Sequence, residues 1–240
     1  MGEPAAPGRG VTTLHRFFVP PDEATGDRFP TPPSIRRQVE RVLRLGDGDH
    51  LVLLTGDGRE ARCRLDGGAC VVEERRAVTA EPAHRLTVVQ SLLKGDGLEE
   101  VIQQGTELGV AAFRLVVSDR SIARDVSSRK LDRLRAIARE SAEQSERGMV
   151  PEVTGPDPLD SALTAGAVLL AERSDGLRLR DLAPPATVII GPEGGFSPAE
   201  LQAAARAGVE LAGLGPRILR SRTVAAAVTA AILSRTGDFA

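Results

Sequence analysis

The residues best suited to chemistry lie in two glycine breaks late in the chain. In the first, Val188-Ile189-Ile190 runs straight into Gly191-Pro192-Glu193-Gly194-Gly195, and Phe196 leads on to Ser197-Pro198. The second reads Leu214-Gly215-Pro216-Arg217-Ile218-Leu219-Arg220. Glycines let a ligand lie against bare backbone N–H and C=O groups, and Pro192 stiffens its loop, which lowers the entropy lost on binding. Glu193, the charged group of the first loop, could cap a helix, receive a ligand hydroxyl or amine, or face water. Taken alone, the first loop fits a tight structural turn equally well. Paired with a second strand-to-glycine break followed by Arg217 and Arg220, it reads as half of one site. Two backbone walls over an apolar floor suit an uncharged planar ring, and flanking arginines suit an anion beside it. That combination fits an adenosine cofactor next to nucleic acid better than a nucleoside triphosphate.

A buried strand, then bare backbone, then a helix N-terminus is how parallel α/β sheets build pockets at their strand ends. The flanking sequence supplies such a frame. Segments 86–92, 112–117, 168–170, 188–190 and 210–214 read as strands. Segments 98–108, 131–146, 198–207 and 223–234 read as helices, with Gly109 closing the first and Leu131, Leu134, Ala138, Ser141 and Ala142 striping the second. This alternation predicts an α/β fold with a mostly parallel sheet covered on both faces. The last helix, from Val224 through Ala227 to Leu233, is apolar nearly all round and must be buried, within its own domain or at a subunit interface.

Residues 14–80 read as a small β-rich unit. Segment 14–19 is a strand ended by Pro20-Pro21. Segment 35–45 is a helix with Ile35, Val39, Val42 and Leu43 on one face and Arg37, Arg41 and Arg44 on the other. Segment 51–54 enters Gly56-Asp57-Gly58, a hairpin signal, and segments 61–65 and 69–73 return. Short strands around one helix predict a small barrel. Residues 77–84 read as a linker, which puts the second domain at 81–240, and the Gly/Pro/Ala-rich 1–13 reads as a flexible extension.

Composition narrows the classes. The chain has 240 residues, 41% hydrophobic and 27% charged, which suits one large or two modest soluble domains. No apolar run approaches the ~18 residues of a membrane span. Cys63 and Cys70 lack metal-ligand spacing, so free thiols, no metal and a cytoplasmic setting are expected. A formal charge of -2 does not announce a nucleic-acid binder, so any RNA contact must come from local patches. Lysine occurs only at Lys94 and Lys130, and the other basic residues are arginines. Codon bias explains that, since Tyr, Trp and Asn are also missing; so does the fit of a planar guanidinium to phosphate and base edges. Aromatics at 2% argue against base-stacking platforms. There is no Gly-x-Gly-x-x-Gly after a strand, no Walker loop, no His-Glu-x-x-His and no Gly-x-Ser-x-Gly elbow, and His15, His50 and His84 are scattered.

The paired loops, Gly191-Pro192-Glu193-Gly194-Gly195-Phe196-Ser197 and Leu214-Gly215-Pro216-Arg217-Ile218-Leu219-Arg220, resemble the signature loops of the RsmE family. Its members are ribosomal RNA uridine-N3 methyltransferases of the SPOUT class. The resemblance runs over nearly the whole chain. It takes in His15-Arg16-Phe17-Phe18-Val19, Lys94-Gly95-Asp96 with Gln104 and Glu107-Leu108-Gly109-Val110, Asp119-Arg120-Ser121, and Glu143-Gln144-Ser145-Glu146-Arg147 with Val150-Pro151. It implies a trefoil-knotted α/β methyltransferase domain behind a PUA-like β-barrel. It implies S-adenosylmethionine bent between the two loops and a third at Leu170-Ala171-Glu172. It also implies a homodimer packed through the last helix, and as substrate a single uridine of 16S rRNA in the small ribosomal subunit.

On that reading the cofactor residues are Leu170, Ala171, Glu172, Ile190, Gly191, Pro192, Glu193, Gly194, Gly195, Leu214, Gly215, Ile218, Leu219 and Arg220. Uracil N3 is a weak nucleophile until its proton leaves, and an arginine can stabilise the charge that then develops on O2 or O4. Arg220 is the expected catalytic residue, the alternative being a carboxylate or phosphate contact. Arg16, Arg37, Arg41, Arg44, Lys94, Arg120, Arg217 and Arg222 are the expected RNA contacts, a solvated surface being the alternative for the helix face. The chain departs from the family at Ser221-Arg222-Thr223, where Thr-Glu-Thr is frequent, and at Gly97, where a basic residue is common. Other readings are a SPOUT enzyme acting on another base or a ribose 2′-OH, a non-catalytic ribosome assembly factor, and a small-molecule-binding α/β protein.

Overall fold

The computed structural model describes residues 14–171 and 177–239. It divides into one compact unit ending at Val78 and another beginning at Thr79. The extension expected at 1–13 lies outside the described residues.

The first unit comprises β1 (His15–Phe18), β2 (Arg28–Pro30), α1 (Pro33–Arg37), β3 (His50–Leu54), β4 (Arg59–Asp66) and β5 (Ala69–Ala77). The strands form a five-stranded mixed sheet in the order β1-β3-β4-β5-β2, with β1 parallel to β3 and the other neighbours antiparallel. Alternate residues Leu51, Leu53, Ala61, Cys63 and Leu65 turn inward and meet Phe17, Phe29 and the helical Ile35 and Val39 in one barrel-like core. The hydrogen bond with Cys70 and burial push the Cys63 thiol up, so it sits there as a small apolar group.

The helix departs from the expected 35–45. It opens on Pro33 and, after Arg37, winds as a π turn over Gln38–Val42. Leu43 N–H donates to Gln38 O and Leu45 N–H to Val39 O, so the helical phase slips. Val42, expected on the apolar face, is 66% exposed, and Leu43 packs against the core. Arg37, Arg41 and Arg44 all stay exposed. β2 carries no strand signal in the sequence, being short and containing Pro30, which an edge strand tolerates.

The second unit runs β6 (Thr87–Ser91), α2 (Gly97–Glu107), β7 (Ala112–Val117), α3 (Ser128–Gln144), β8 (Glu152–Pro158), β9 (Val168–Leu170), β10 (Thr187–Ile190), α4 (Pro198–Arg206), β11 (Glu210–Ala212) and α5 (Ser221–Leu233). Its six strands lie in the order β11-β9-β10-β6-β7-β8, every neighbouring pair parallel. Val88, Val188 and Ile190 face a core shared with α2, α3 and α5, while Val89, Leu169 and Ile189 face one shared with Ala204 of α4. This two-sided burial is why the strands read as continuous apolar runs. β8 escaped the sequence reading because Gly155, Pro156 and Pro158 conceal it. It is an edge strand, where proline removes no needed donor. Gly155 sits at φ +94°, and an added Cβ would run into the Leu115 carbonyl.

Candidate active site

β6 and β10 are neighbours, yet the chain leaves them in opposite directions across the sheet, toward β7 from one and toward β11 from the other. Beyond the carboxyl ends of strands at such a switch point a crevice opens. Here it is a cavity of about 1320 Å³, bounded by Leu93 and Lys94 after β6, Ala171 after β9, the loop 191–195 after β10 and the segment 213–220 after β11.

The first loop is held from three directions. Gly191 O accepts the Ser221 hydroxyl at 2.5 Å, and Gln90 Nε2 of β6 donates to the same hydroxyl at 3.0 Å, which joins β6, the loop and the start of α5. Glu193 Oε1 accepts the Lys94 N–H at 3.2 Å, so the loop glutamate braces the segment after β6. Arg120 Nη1 donates to Gly194 O at 3.0 Å. Gly195 N–H closes the turn onto Pro192 O at 2.9 Å, with Gly195 at φ +67°. Behind the loop, Ser197 caps α4 in a reciprocal capping box with Glu200. The buried Glu200 also accepts the Asp119 N–H at 2.7 Å, and the Ser197 hydroxyl donates to Asp119 Oδ2 at 2.6 Å. The loop is therefore bonded to residues following β6 and β7 as well as to α5.

The second loop is more open. Ile218 is 59% exposed, and Arg217 and Arg220 are exposed at the cavity wall. Arg220 caps α5 in an extended conformation without a side-chain cap bond. Among the described residues no carboxylate pairs with Arg217 or Arg220.

Leu170, Ala171, Ile190, Gly191, Pro192, Glu193, Gly194, Gly195, Leu214, Gly215, Ile218, Leu219 and Arg220 all line this cavity, as do Lys94, Arg120, Arg217 and Arg222. Glu172 lies outside the described residues. Arg16, Arg37, Arg41 and Arg44 belong to the other unit. The expectation for Arg16 is corrected: its side chain is 10% exposed and its guanidinium pairs with Glu60, so it is not offered to a phosphate. Arg120 props the glycine loop, and Arg222 Nη1 pairs with Glu100 Oε1 at 2.7 Å. The sequence reading missed Asp96, Glu100 and Arg178 on the cavity wall. Asp96 is the N-cap of α2 and Glu100 a first-turn acid, positions that acidic residues commonly take for the helix alone, and Arg178 falls in a stretch with no periodicity. Among the described residues no three metal-binding side chains gather, and no helix is long and apolar enough to cross a membrane.

Fold and cavity together define an α/β domain of the RNA methyltransferase class, and residues 79–233 match the RNA methyltransferase domain family. The chain is 30% identical to ribosomal RNA small subunit methyltransferase E of Bacillus subtilis, over 93% of this chain and 97% of that protein. It is 34% identical to the protein of the same name from Mycobacterium bovis, over 80% of each. A crystal structure of a ribosomal RNA small subunit methyltransferase E from Neisseria gonorrhoeae, bound to S-adenosyl methionine, superposes with a TM-score of 0.85 at 29% identity, covering 95% of this chain and 100% of that one. The chain belongs to the ribosomal RNA small subunit methyltransferase E family.

Proposed function

We propose that this chain is an S-adenosylmethionine-dependent methyltransferase that modifies N3 of a single uridine in 16S rRNA of the small ribosomal subunit. The observation that carries the reading is the switch-point cavity, walled by the two glycine loops and edged by Arg217 and Arg220. The N. gonorrhoeae relative, solved with S-adenosyl methionine, supports the cofactor. The residues present fit that group. The cavity, at about 1320 Å³, exceeds the ~300–1,000 Å³ usual for one small ligand and leaves room for a cofactor and a base. At Gly195 and Gly215 an added Cβ would meet nothing within 4 Å, so bare backbone borders open space on both walls.

When bound, S-adenosylmethionine supplies a methyl group activated by its sulfonium. The protein's share is placement and charge. The loops 191–195 and 214–220 hold the adenosine against backbone groups, and their rigidity counts because alignment alone carries much of a transfer barrier. N3 lies on the pairing edge, so the uridine must be unpaired or turned out to enter the cavity. As N3 gives up its proton to water, the Arg220 guanidinium would stabilise the charge developing on O2 or O4. Lys94 and Arg217 contact the RNA backbone at the mouth, and Arg37, Arg41 and Arg44 offer a further basic face on the first unit.

The enzyme works in the cytoplasm as a homodimer with a trefoil-knotted second domain. Ala225, Val228 and Ile232 of α5 are buried, while Val224 and Ala227 are only partly covered and Ala231 is exposed, which leaves an apolar stripe for a second copy.

The test supplies purified protein and labelled S-adenosylmethionine to small subunits from cells lacking the protein, followed by nucleoside mass spectrometry of 16S rRNA. Label in N3-methyluridine is expected. No transfer, or label on a ribose or another base, overturns the reading. Arg220→Ala lowers kcat by about 10²-fold while the cofactor Kd holds, since one charge-stabilising donor is worth about that much. Equal loss of both makes Arg220 structural.

A further inference from the structure

Position 222 breaks a local rule. The first turn of a helix lies in the positive field of its unpaired N–H groups, which favours carboxylates and disfavours cations. Arg222 follows Ser221 in the first turn of α5, where no acidic residue is present and the cap residue makes no side-chain bond. The helix by itself would reject a cation there. The compensation comes from α2, whose own first turn carries Glu99 and Glu100. Glu100 Oε1 accepts from Arg222 Nη1 at 2.7 Å, and both side chains line the cavity wall. The helices are already partners, since Val101 and Ile102 share a core with Val228 and Ile232.

The pair sits where the second glycine loop becomes helix. Among the described residues, the segment 214–219 donates no backbone hydrogen bond; the first bonds beyond it are Thr223 and Val224 N–H to Arg220 O at 2.8 and 3.0 Å. The exit of the loop is therefore set by whatever anchors the first turn of α5. Inside, that is the Ser221 hydroxyl on Gly191; at the rim, it is Arg222 on Glu100. We propose that Glu100 and Arg222 form an ion-pair latch between α2 and α5 that positions Arg220 and the 214–220 loop over the cavity. They are positioning residues, acting through Arg220, and the inference rests on the methyltransferase reading of that cavity. It runs against the family resemblance, under which Arg222→Glu restores a frequent residue. With Glu100 opposite, the same change brings two carboxylates face to face.

The experiment uses the full chain and three variants: R222E, E100R and the charge-swapped E100R/R222E. Amide exchange at Thr223 and Val224 is measured without cofactor, and kcat and the S-adenosylmethionine Kd are measured on small subunits. Each single variant is expected to speed exchange, lower kcat by about tenfold and weaken the Kd by a smaller factor, and the swap to return all three to within about threefold of the parent. Slower exchange in R222E means the helix field outweighs the pair and overturns the latch. So does an unchanged kcat in R222E, or a swap as impaired as the single variants. If the parent transfers no methyl but exchange follows the expected pattern, the latch stands and the methyltransferase reading falls.

Discussion

Replacing Ser221 with alanine tests whether the two glycine loops are mechanically joined. The hydroxyl gives its proton to Gly191 O at 2.5 Å and receives one from Gln90 Nε2 at 3.0 Å. Ser221 is 7% exposed and Gln90 fully buried, so water does not readily replace either bond. Alanine leaves the Gly191 carbonyl and one Gln90 N–H without partners, and each such group costs about 1–3 kcal/mol. Gln90 Nε2 keeps its bond to Ser91 O at 3.0 Å, so the pair of losses falls near the lower end, about 2–3 kcal/mol. For a chain of this size each kcal/mol lowers Tm by about 2–4 °C, which gives a fall of about 4–12 °C. Part of that cost is recovered if the loop carrying Gly191 shifts to find a new donor, and cofactor binding must then move it back. If about 1.4 kcal/mol enters the binding equilibrium, the S-adenosylmethionine Kd rises about tenfold. Scanning calorimetry and titration calorimetry read the two quantities, and Ser221→Thr, which keeps the hydroxyl, should restore most of both. An alanine variant with parental Tm and Kd refutes the joint. A lowered Tm with parental Kd shows that the bond serves the fold and not the site.

Two further perturbations probe separate parts of the molecule. Gly195 holds φ +67° with open space beside it, so Gly195→Ala should weaken cofactor binding through backbone strain of about 1–2 kcal/mol. Gly195→Asn, which visits this region at lower cost, should recover most of the affinity; an alanine variant that binds normally means the strain is the same in the free and bound loop and does not reach the site. In the first unit, burial raises the Glu60 pKa, but hydrogen bonds from Arg16 and Arg76 overcome it and hold the carboxyl below its ordinary 4.5. A folded-state pKa that is depressed adds stability above the unfolded value, lost as pH falls through the folded one. Glu60→Gln should therefore be less stable than the parent at neutral pH, and the gap should narrow below about pH 4.5. A gap that stays constant on acidification removes the ion pairs as its source.

The parts of the fold legible in the sequence are those whose physics is local. β10 is a short run of branched apolar residues buried on both faces, and β6 and β7 carry shorter ones at Val88-Val89 and Leu115-Val116 whose neighbours enter opposite cores. α3 declares itself by Leu134, Ala138 and Ala142 along one stripe. The glycine loops are legible as a site because two strand-to-glycine breaks recur within one short segment, whereas either alone fits a structural turn. β8 is not legible, because Gly155 and Pro156 carry the marks of a loop and only the edge position excuses them. The π turn of α1 is equally hidden, since an apolar face laid out at 3.6 residues per turn includes Val42 until the backbone slips. Strand order is also invisible: the sequence lists β9 before β10, but the sheet sets β10 between β9 and β6, and that inversion creates the crevice.

Side-chain partnership is the least local property, and the arginines show why it matters for function. By residue type alone Arg16, Arg120, Arg217, Arg220 and Arg222 form one class of candidate phosphate contacts. The structure separates them by what lies opposite. Arg16 faces Glu60, Arg120 the Gly194 carbonyl and Arg222 Glu100, each acceptor brought near from a distant part of the chain. A guanidinium bonded to a fixed acceptor has lost part of its fork geometry for an incoming phosphate, and a carboxylate partner cancels its charge as well. Arg217 and Arg220 have no carboxylate partner among the described residues and stand exposed at the cavity wall. The mouth of the cavity therefore offers fewer uncommitted arginines among the described residues than the sequence suggests. Arg120 and Arg222 instead brace the loop 191–195 and the start of α5, and Arg16 braces the sheet of the first unit.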